Sequence, residues 1–151
     1  MAAVPLISSG IRTYATTTNS REALGKLRYA TERLAREIRE VRRNPVTPTD
    51  FEFTSLASGT SLQFRKSDTV QVTITAATPN VTLGYSSPAA SAPLTDLLNA
   101  NADLNLSYYL ADRSTTTTSL SQIAYVRIHL TLTDRDGNSL NQETWVALRN
   151  Q

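Results

Sequence analysis

The sequence predicts an α+β fold in which one long N-terminal α-helix packs on an antiparallel β-sheet. Two observations carry this prediction. Residues 21–43, REALGKLRYATERLAREIREVRR, place Leu24, Leu27, Thr31, Leu34, Ile38 and Val41 at intervals of three and four, the spacing of one helical face. After Pro45 and Pro48 the apolar residues recur instead at every second position, the period of strands with one face in a core. A helix with an apolar stripe must bury it, and the sheet is the only other element available, so its apolar face is expected to cover the stripe.

The helix has Ser20 as its expected N-cap and ends by Asn44, because the residue before Pro45 is pushed out of the α region. Ala23, Ala30 and Ala35 join the stripe. Arg28, Glu32, Arg33, Arg36, Glu37, Arg39 and Glu40 fill the opposite arc, with Glu32 to Arg36 and Arg36 to Glu40 spaced four apart as ion pairs. At 1.5 Å per residue the segment is ~35 Å long, and ~50 Å if it reaches back towards Ile11.

Phe51 with Phe53, Leu62 with Phe64, and Val70, Val72 and Ile74 mark half-buried strands, divided by turns at Ser58-Gly59-Thr60 and Ser67-Asp68. A further strand is read around Val81 to Tyr85. SSPAASAP, residues 86–93, reads as a loop, followed by a short helix near Leu94 to Asn99 and a strand from Leu104 to Leu110. RSTTTTS, residues 113–119, is a polar surface loop. IAYVRIHLTLT then sets Ala124, Val126, Ile128, Leu130 and Leu132 against Tyr125, Arg127, His129 and Thr131. DRDGNS turns the chain into the last strand, LNQETWVAL. The expected sheet has four to seven strands.

With 151 residues, 40% hydrophobic and 19% charged, the chain suits one folded domain that buries about two thirds of its unfolded surface. The absence of cysteine excludes disulfides, thiolate metal sites and a thiol nucleophile. Residues 1–43 hold nine Lys or Arg against four Glu, whereas residues 44–151 hold six against nine acids, so the basic excess belongs to the helix. Its eight Lys or Arg in residues 21–43 raise a nucleic-acid reading, with Arg28, Arg36, Arg39 and Arg43 as the candidate electrostatic contact face. Four interleaved Glu favour an ordinary solvated face instead.

DRDGNS offers Asp134, Asp136 and Asn138 on alternate positions, the start of a calcium loop, but Gly137 stands fourth instead of sixth and no glutamate stands twelfth. A hairpin turn is the preferred account, with calcium as the minority reading and no other cofactor expected. His129 lacks the neighbours of a metal site or a catalytic triad. Trp145, Tyr108, Tyr109 and Tyr125 form either a sugar platform or, more simply, part of the core. No phosphate loop or carboxylate pair marks an enzyme, and no small-molecule substrate is expected.

The segment REALGKLRYATERLAREIREV resembles the exposed half of the N-terminal helix of type IV minor pilins and of type II secretion pseudopilins, where a pattern A-L-x-x-L…A-x-x-R-L-x-R-E-I-R recurs. LSYYLADR and IAYVRIHLTLTDRDGNSLNQETWVALRN are similar to the last strands of the minor pilins of MSHA-type pili, with their LTLTD strand, hairpin and terminal xRN. The resemblance implies one pilin-like domain over 1–151, with 1–20 a remnant of helix or vector-derived, 21–43 the spine and 44–151 a β-rich head. Its surface loops lie at 77–103 and 111–120. Leu24, Leu27, Leu34, Ile38 and Val41 would be the helix-to-sheet stripe.

The family's leader, cleavage site, hydrophobic segment and early Glu are replaced here by MAAVPLISSGIRTY. The expectation is therefore a soluble portion from which the membrane half of the helix has been removed, Met1-Ala2-Ala3 being vector-derived. The cysteine pair near the C-terminus of many major pilins is absent as well. The resemblance implies a structural subunit of a bacterial type IV pilus, serving assembly, initiation or adhesion. A pseudopilin of a type II secretion system is one alternative; a DNA- or surface-binding module of this shape is another. Partners would be other pilin or pseudopilin subunits and, through the missing helix, the inner membrane. Localisation would be inner membrane and periplasm before assembly, then a surface pilus or periplasmic pseudopilus.

Overall fold

The computed structural model describes residues 3–56 and 59–148, with side chains from residue 18 onward except that of Ser55. The readings of Met1-Ala2, of Ser58 in its turn and of the terminal Arg149-Asn150 lie outside the described residues. Among the described residues one helix, α1 (Ala3–Arg39), precedes eight strands. Five of them form one antiparallel sheet in sequence order: β1 (Phe53–Ser55), β2 (Ser61–Arg65), β3 (Gln71–Ala77), β4 (Asn80–Ser86) and β5 (Ala89–Thr95). The other three, β6 (Leu104–Tyr109), β7 (Tyr125–Thr133) and β8 (Ser139–Ala147), form a second antiparallel sheet. The α+β class is as expected; a second sheet and an eighth strand are not.

Alternation fixes which residues enter the core. In β7, Val126, Ile128, Leu130 and Leu132 are buried while the residues between them are half-buried. In the first sheet Leu62 stands opposite Ile74, Phe64 opposite Val72 and Ile74 opposite Leu83, so one face carries the apolar set. Both inner faces meet in one core with the helix. Phe53 bridges them, its ring 6.1 Å from that of Phe64 and 6.0 Å from that of Tyr108. The backbone also joins the sheets, Leu106 N–H donating to the Gly59 carbonyl at 2.7 Å.

The helix is longer at its start and shorter at its end than the sequence suggested. Pro5 lies in the first turn, where its missing N–H costs nothing, so α1 runs straight through Ser20, which is not a cap. At the other end Glu40 and Val41 donate back to Glu37 and Ile38 in tight i→i−3 bonds. Arg42 then gives its N–H to Arg65 O and takes Glu52 N–H on its own carbonyl, so backbone pairing ends the helix before Asn44 does. Asn44 instead organises the following turn, its Oδ1 accepting from Val46 and Thr47 N–H at 2.8 and 3.3 Å.

Two local expectations fail. Residues 89–93 of the supposed loop belong to strand β5, because their backbone pairs with β4 although their side chains stay exposed. The short helix at Leu94 to Asn99 does not form. Leu97 O accepts from Thr133 N–H and Leu98 N–H donates to Pro79 O, so tertiary partners spend the groups a helix would need; only Asn101–Asp103 makes one 3-10 turn.

The seam between α1 and the sheets contains Ala23, Leu27, Ala30, Thr31, Leu34, Ala35, Ile38 and Val41, all buried. Leu24 does not belong to it: at 100° per residue it sits ~80° from Leu34, at the margin of the buried arc, and it is 37% exposed. Glu37 moves the opposite way. It lies ~60° from Leu34, inside that arc, and is 3% exposed.

Candidate functional site

α1 presents two chemically different sides, and the inner one is closed around a carboxylate. Glu37 Oε1 accepts from the Tyr85 hydroxyl at 2.6 Å and pairs with Arg33 at 3.1 Å, while Oε2 accepts from Lys66 Nζ at 2.9 Å. Arg33 also donates to the Tyr85 oxygen at 2.7 Å, and Lys66 reaches Glu40. Helix, β4 and the β2–β3 turn are thereby tied at one point. Burial works against the Lys66 ammonium, but its bonds to Glu40 and Glu37 outweigh that and raise its pKa; burial and then Glu37 raise that of Tyr85. Every charge at this node has a partner, as a buried carboxylate requires.

A second tie is polar throughout. Asp134, at the start of the β7–β8 turn, accepts from Asp136 and Asn138 N–H on Oδ1 at 2.9 and 2.8 Å. Its Oδ2 accepts from the Ser20 hydroxyl at 3.1 Å and the Asn138 amide at 3.3 Å. Asn19 donates to Asp136 at 3.1 Å, and Arg135 faces Glu22 at 3.4 Å. Gly137 supplies the turn's positive φ of 85°. The donors, led by the Asn138 backbone, hold the Asp134 carboxyl below its ordinary value.

The calcium candidates Asp134, Asp136 and Asn138 do come together, but the Asp134 oxygens already serve the turn and the helix. Among the described residues no group of three or more His, Asp or Glu side chains is placed to hold a metal ion.

The outer side of α1 is open. Arg21, Arg28, Arg36 and Arg39 are exposed with Glu32 among them, and none of these five has a hydrogen-bonding or ionic partner among the described residues. The expected pairs Glu32 with Arg36 and Arg36 with Glu40 do not form; Glu40 is drawn to Lys66 instead. Of the four arginines named from sequence, three share this surface. Arg43 does not: it has left the helix, lies over the Phe51 ring at 3.7 Å and donates to Thr49 O at 2.7 Å.

Tyr108 enters the core as expected of a large aromatic, its hydroxyl buried without a partner among the described residues, and burial raises its pKa. The other three aromatics cluster on the outer face of β6, β7 and β8. Trp145 is 4.8 Å from Tyr109 with tilted rings and 6.4 Å from Tyr125 edge to face, and Arg113 lies 4.6 Å over Tyr125. Trp145 Nε1 and Arg127 both donate to Glu143, and Arg127 first, then Trp145, lowers its pKa. His129 sits across from Glu143 on the same strand pair, half-buried.

The β5 edge and the Glu37 node escaped sequence reasoning. Position 37 carried a signal, three residues after Leu34 and four before Val41; the edge strand carried none. Compared with family models, curated proteins and solved structures, the chain gives no match.

Proposed function

We propose that the protein is a structural filament subunit, the head and helical spine of a type IV minor pilin. One observation carries the reading. α1 is tied to the sheets at residues 19–22 and again at Glu37, yet its backbone continues helical from Ala3, ~24 Å ahead of Asn19. A helix tied to the sheets at residues 19–22 and 37 and continued ahead of residue 19 is suited to packing against other helices in a shared spine. Arg21, Arg28, Arg36 and Arg39, without ionic partners among the described residues, give that spine a basic side for acidic neighbours.

Among the described residues no helix is long and apolar enough to cross a membrane. In this reading membrane attachment belongs to a hydrophobic segment ahead of the present one. The same geometry serves a pseudopilin, and the two differ in the assembly they join. The test is to delete the gene in its host, count surface filaments by electron microscopy, and complement with tagged wild type or with Arg28→Glu/Arg36→Glu/Arg39→Glu. Filaments lost, restored by wild type and not by the triple variant are expected; normal filaments with no tag in them would sink the pilus reading, and a secretion defect would then point to the pseudopilin.

A polyanion-binding module is the second reading, favoured by the missing Glu32–Arg36 and Arg36–Glu40 pairs. If it holds, duplex DNA binding weakens with a log–log salt slope of about −3 for three phosphate contacts.

A further inference from the structure

β5 is the outer strand of the five-stranded sheet, and residues 89–93 (Ala, Ala, Ser, Ala, Pro) are all exposed. Among the described residues none of the five makes a backbone hydrogen bond beyond the ladder with β4. Open edges are ordinarily protected by charged side chains, proline, bulges or covering elements. This edge carries no charge, and its two protecting features, Pro93 and the bulge at Leu94 where the register shifts, stand together at one end, leaving residues 89–92 open.

Beside it, Tyr29 and Arg33 of α1 and residues 90–94 line a groove of 170 Å³, and a second of 240 Å³ lies along Pro93, Leu94 and Thr95 beside the Lys26–Asp96 pair. Tyr29, 57% exposed, is a large aromatic outside the core formed by the described residues.

We propose that the free edge of β5 is an interface between two copies of this chain, residues 89–93 of each pairing antiparallel about Ser91 so that the two five-stranded sheets join into one. Three features select a second copy. Antiparallel pairing about Ser91 sets Ala90 opposite Ala92 and Ala89 opposite Pro93, so the missing N–H falls at the end of the ladder. Small side chains along the edge leave no bulk to hold two backbones apart.

The flanking charges are also neutralised within each copy, Lys26 by Asp96 and Glu22 and Arg33 by Glu37, so like charge does not oppose self-association. Tyr29 would be covered by the incoming copy. The filament reading is independent: a monomer leaves it standing, and loss of filaments leaves the dimer standing.

The chain has no cysteine, so one introduced thiol reports on the contact. Across an antiparallel ladder Ser91 of the two copies would lie about 4.5–5.5 Å apart at Cα, within disulfide reach. Ser91→Cys is expected to form a disulfide dimer under mild oxidation well before Thr118→Cys, an exposed control, does. In sedimentation the wild type should dimerise with rising concentration, and Ala92→Lys should lose the dimer while keeping its melting curve. Equal oxidation rates for the two thiols, a wild type monomeric at millimolar concentration, or a dimer that survives Ala92→Lys would each overturn the proposal.

Discussion

The two ties between α1 and the sheets do the same work with opposite chemistry. Around Glu37 a carboxylate 3% exposed is matched by Arg33, Lys66 and Tyr85 beside an apolar seam. Around Asp134, itself 5% exposed, the contacts of Ser20, Asn19 and Glu22 with the β7–β8 turn are hydroxyl, amide and carboxylate bonds, and the outer two, Asn19 with Asp136 and Glu22 with Arg135, are open to water. The first tie fixes the helix whenever the core is intact. The second rests on a carboxylate that protonation weakens, so the contacts of residues 19–22 are the pH-dependent part of the attachment.

The strongest way to break the first tie is Leu34→Asp, which sets a charge in the seam among fully buried neighbours. A loss of about 4 kcal/mol or more is expected, most of a domain's stability, seen as loss of the cooperative melt by circular dichroism. Glu37→Gln is milder. Removing one member of a buried pair costs about 3–5 kcal/mol, but the Lys66 and Arg33 side chains left behind are 23% and 31% exposed and regain water, so about 1–3 kcal/mol is expected in urea unfolding. Glu40→Gln, at a side chain 51% exposed, should cost under about 1 kcal/mol. Equal losses for the two would mean that the node is a surface ion pair and nothing more.

The second tie is addressed by pH. The folded state depresses the Asp134 pKa below its ordinary 3.8, so its contribution is complete above that value and fades as the pH falls through the folded pKa. Asp112 behaves alike, pushed down to about 2 by the Thr115 hydroxyl and backbone and the Ser114 backbone, but it lies in the 111–120 loop away from α1. Asp134→Asn should flatten the urea midpoint against pH below about 4 and increase hydrogen exchange at residues 19–22; Asp112→Asn should flatten the midpoint alone. Unchanged exchange in Asp134→Asn would show that the turn does not hold the helix.

Much of this was legible in the sequence, for physical reasons that also explain the failures. The seam from Leu27 to Val41 and the alternation of β2, β3 and β7 could be read because burial on one face imposes a period. β5 could not, because an edge strand of Ala, Ser and Pro buries almost nothing and is made by its backbone. Leu97 and Leu98 looked helical because the partners that claim them, Thr133 and Pro79, are distant in sequence. The outer arginines were found and their pairing misjudged: spacing by four allows a pair, but Lys66, arriving from the β2–β3 turn, decides which glutamate is free. No spacing rule could reveal that the β7–β8 turn grips Ser20.

The smallest effect tests where the seam stops. Leu24 and Leu27 are three residues apart on one helix, of one side-chain type, and both stood in the predicted stripe, yet Leu27 is 1% exposed and Leu24 37%. Leu27→Ala removes packed methyl groups and leaves a cavity, about 2–5 kcal/mol in comparable cores. Leu24→Ala gives up a half-solvated side chain and improves helix propensity slightly, so a change within about 0.5 kcal/mol is expected in the same urea titration. A cost for Leu24→Ala near that of Leu27→Ala would extend the seam by a turn and place part of the basic outer side against the sheets. A null effect on stability that still reduces filaments in the complementation assay would instead make Leu24 a contact residue of the outer side, beside Arg28.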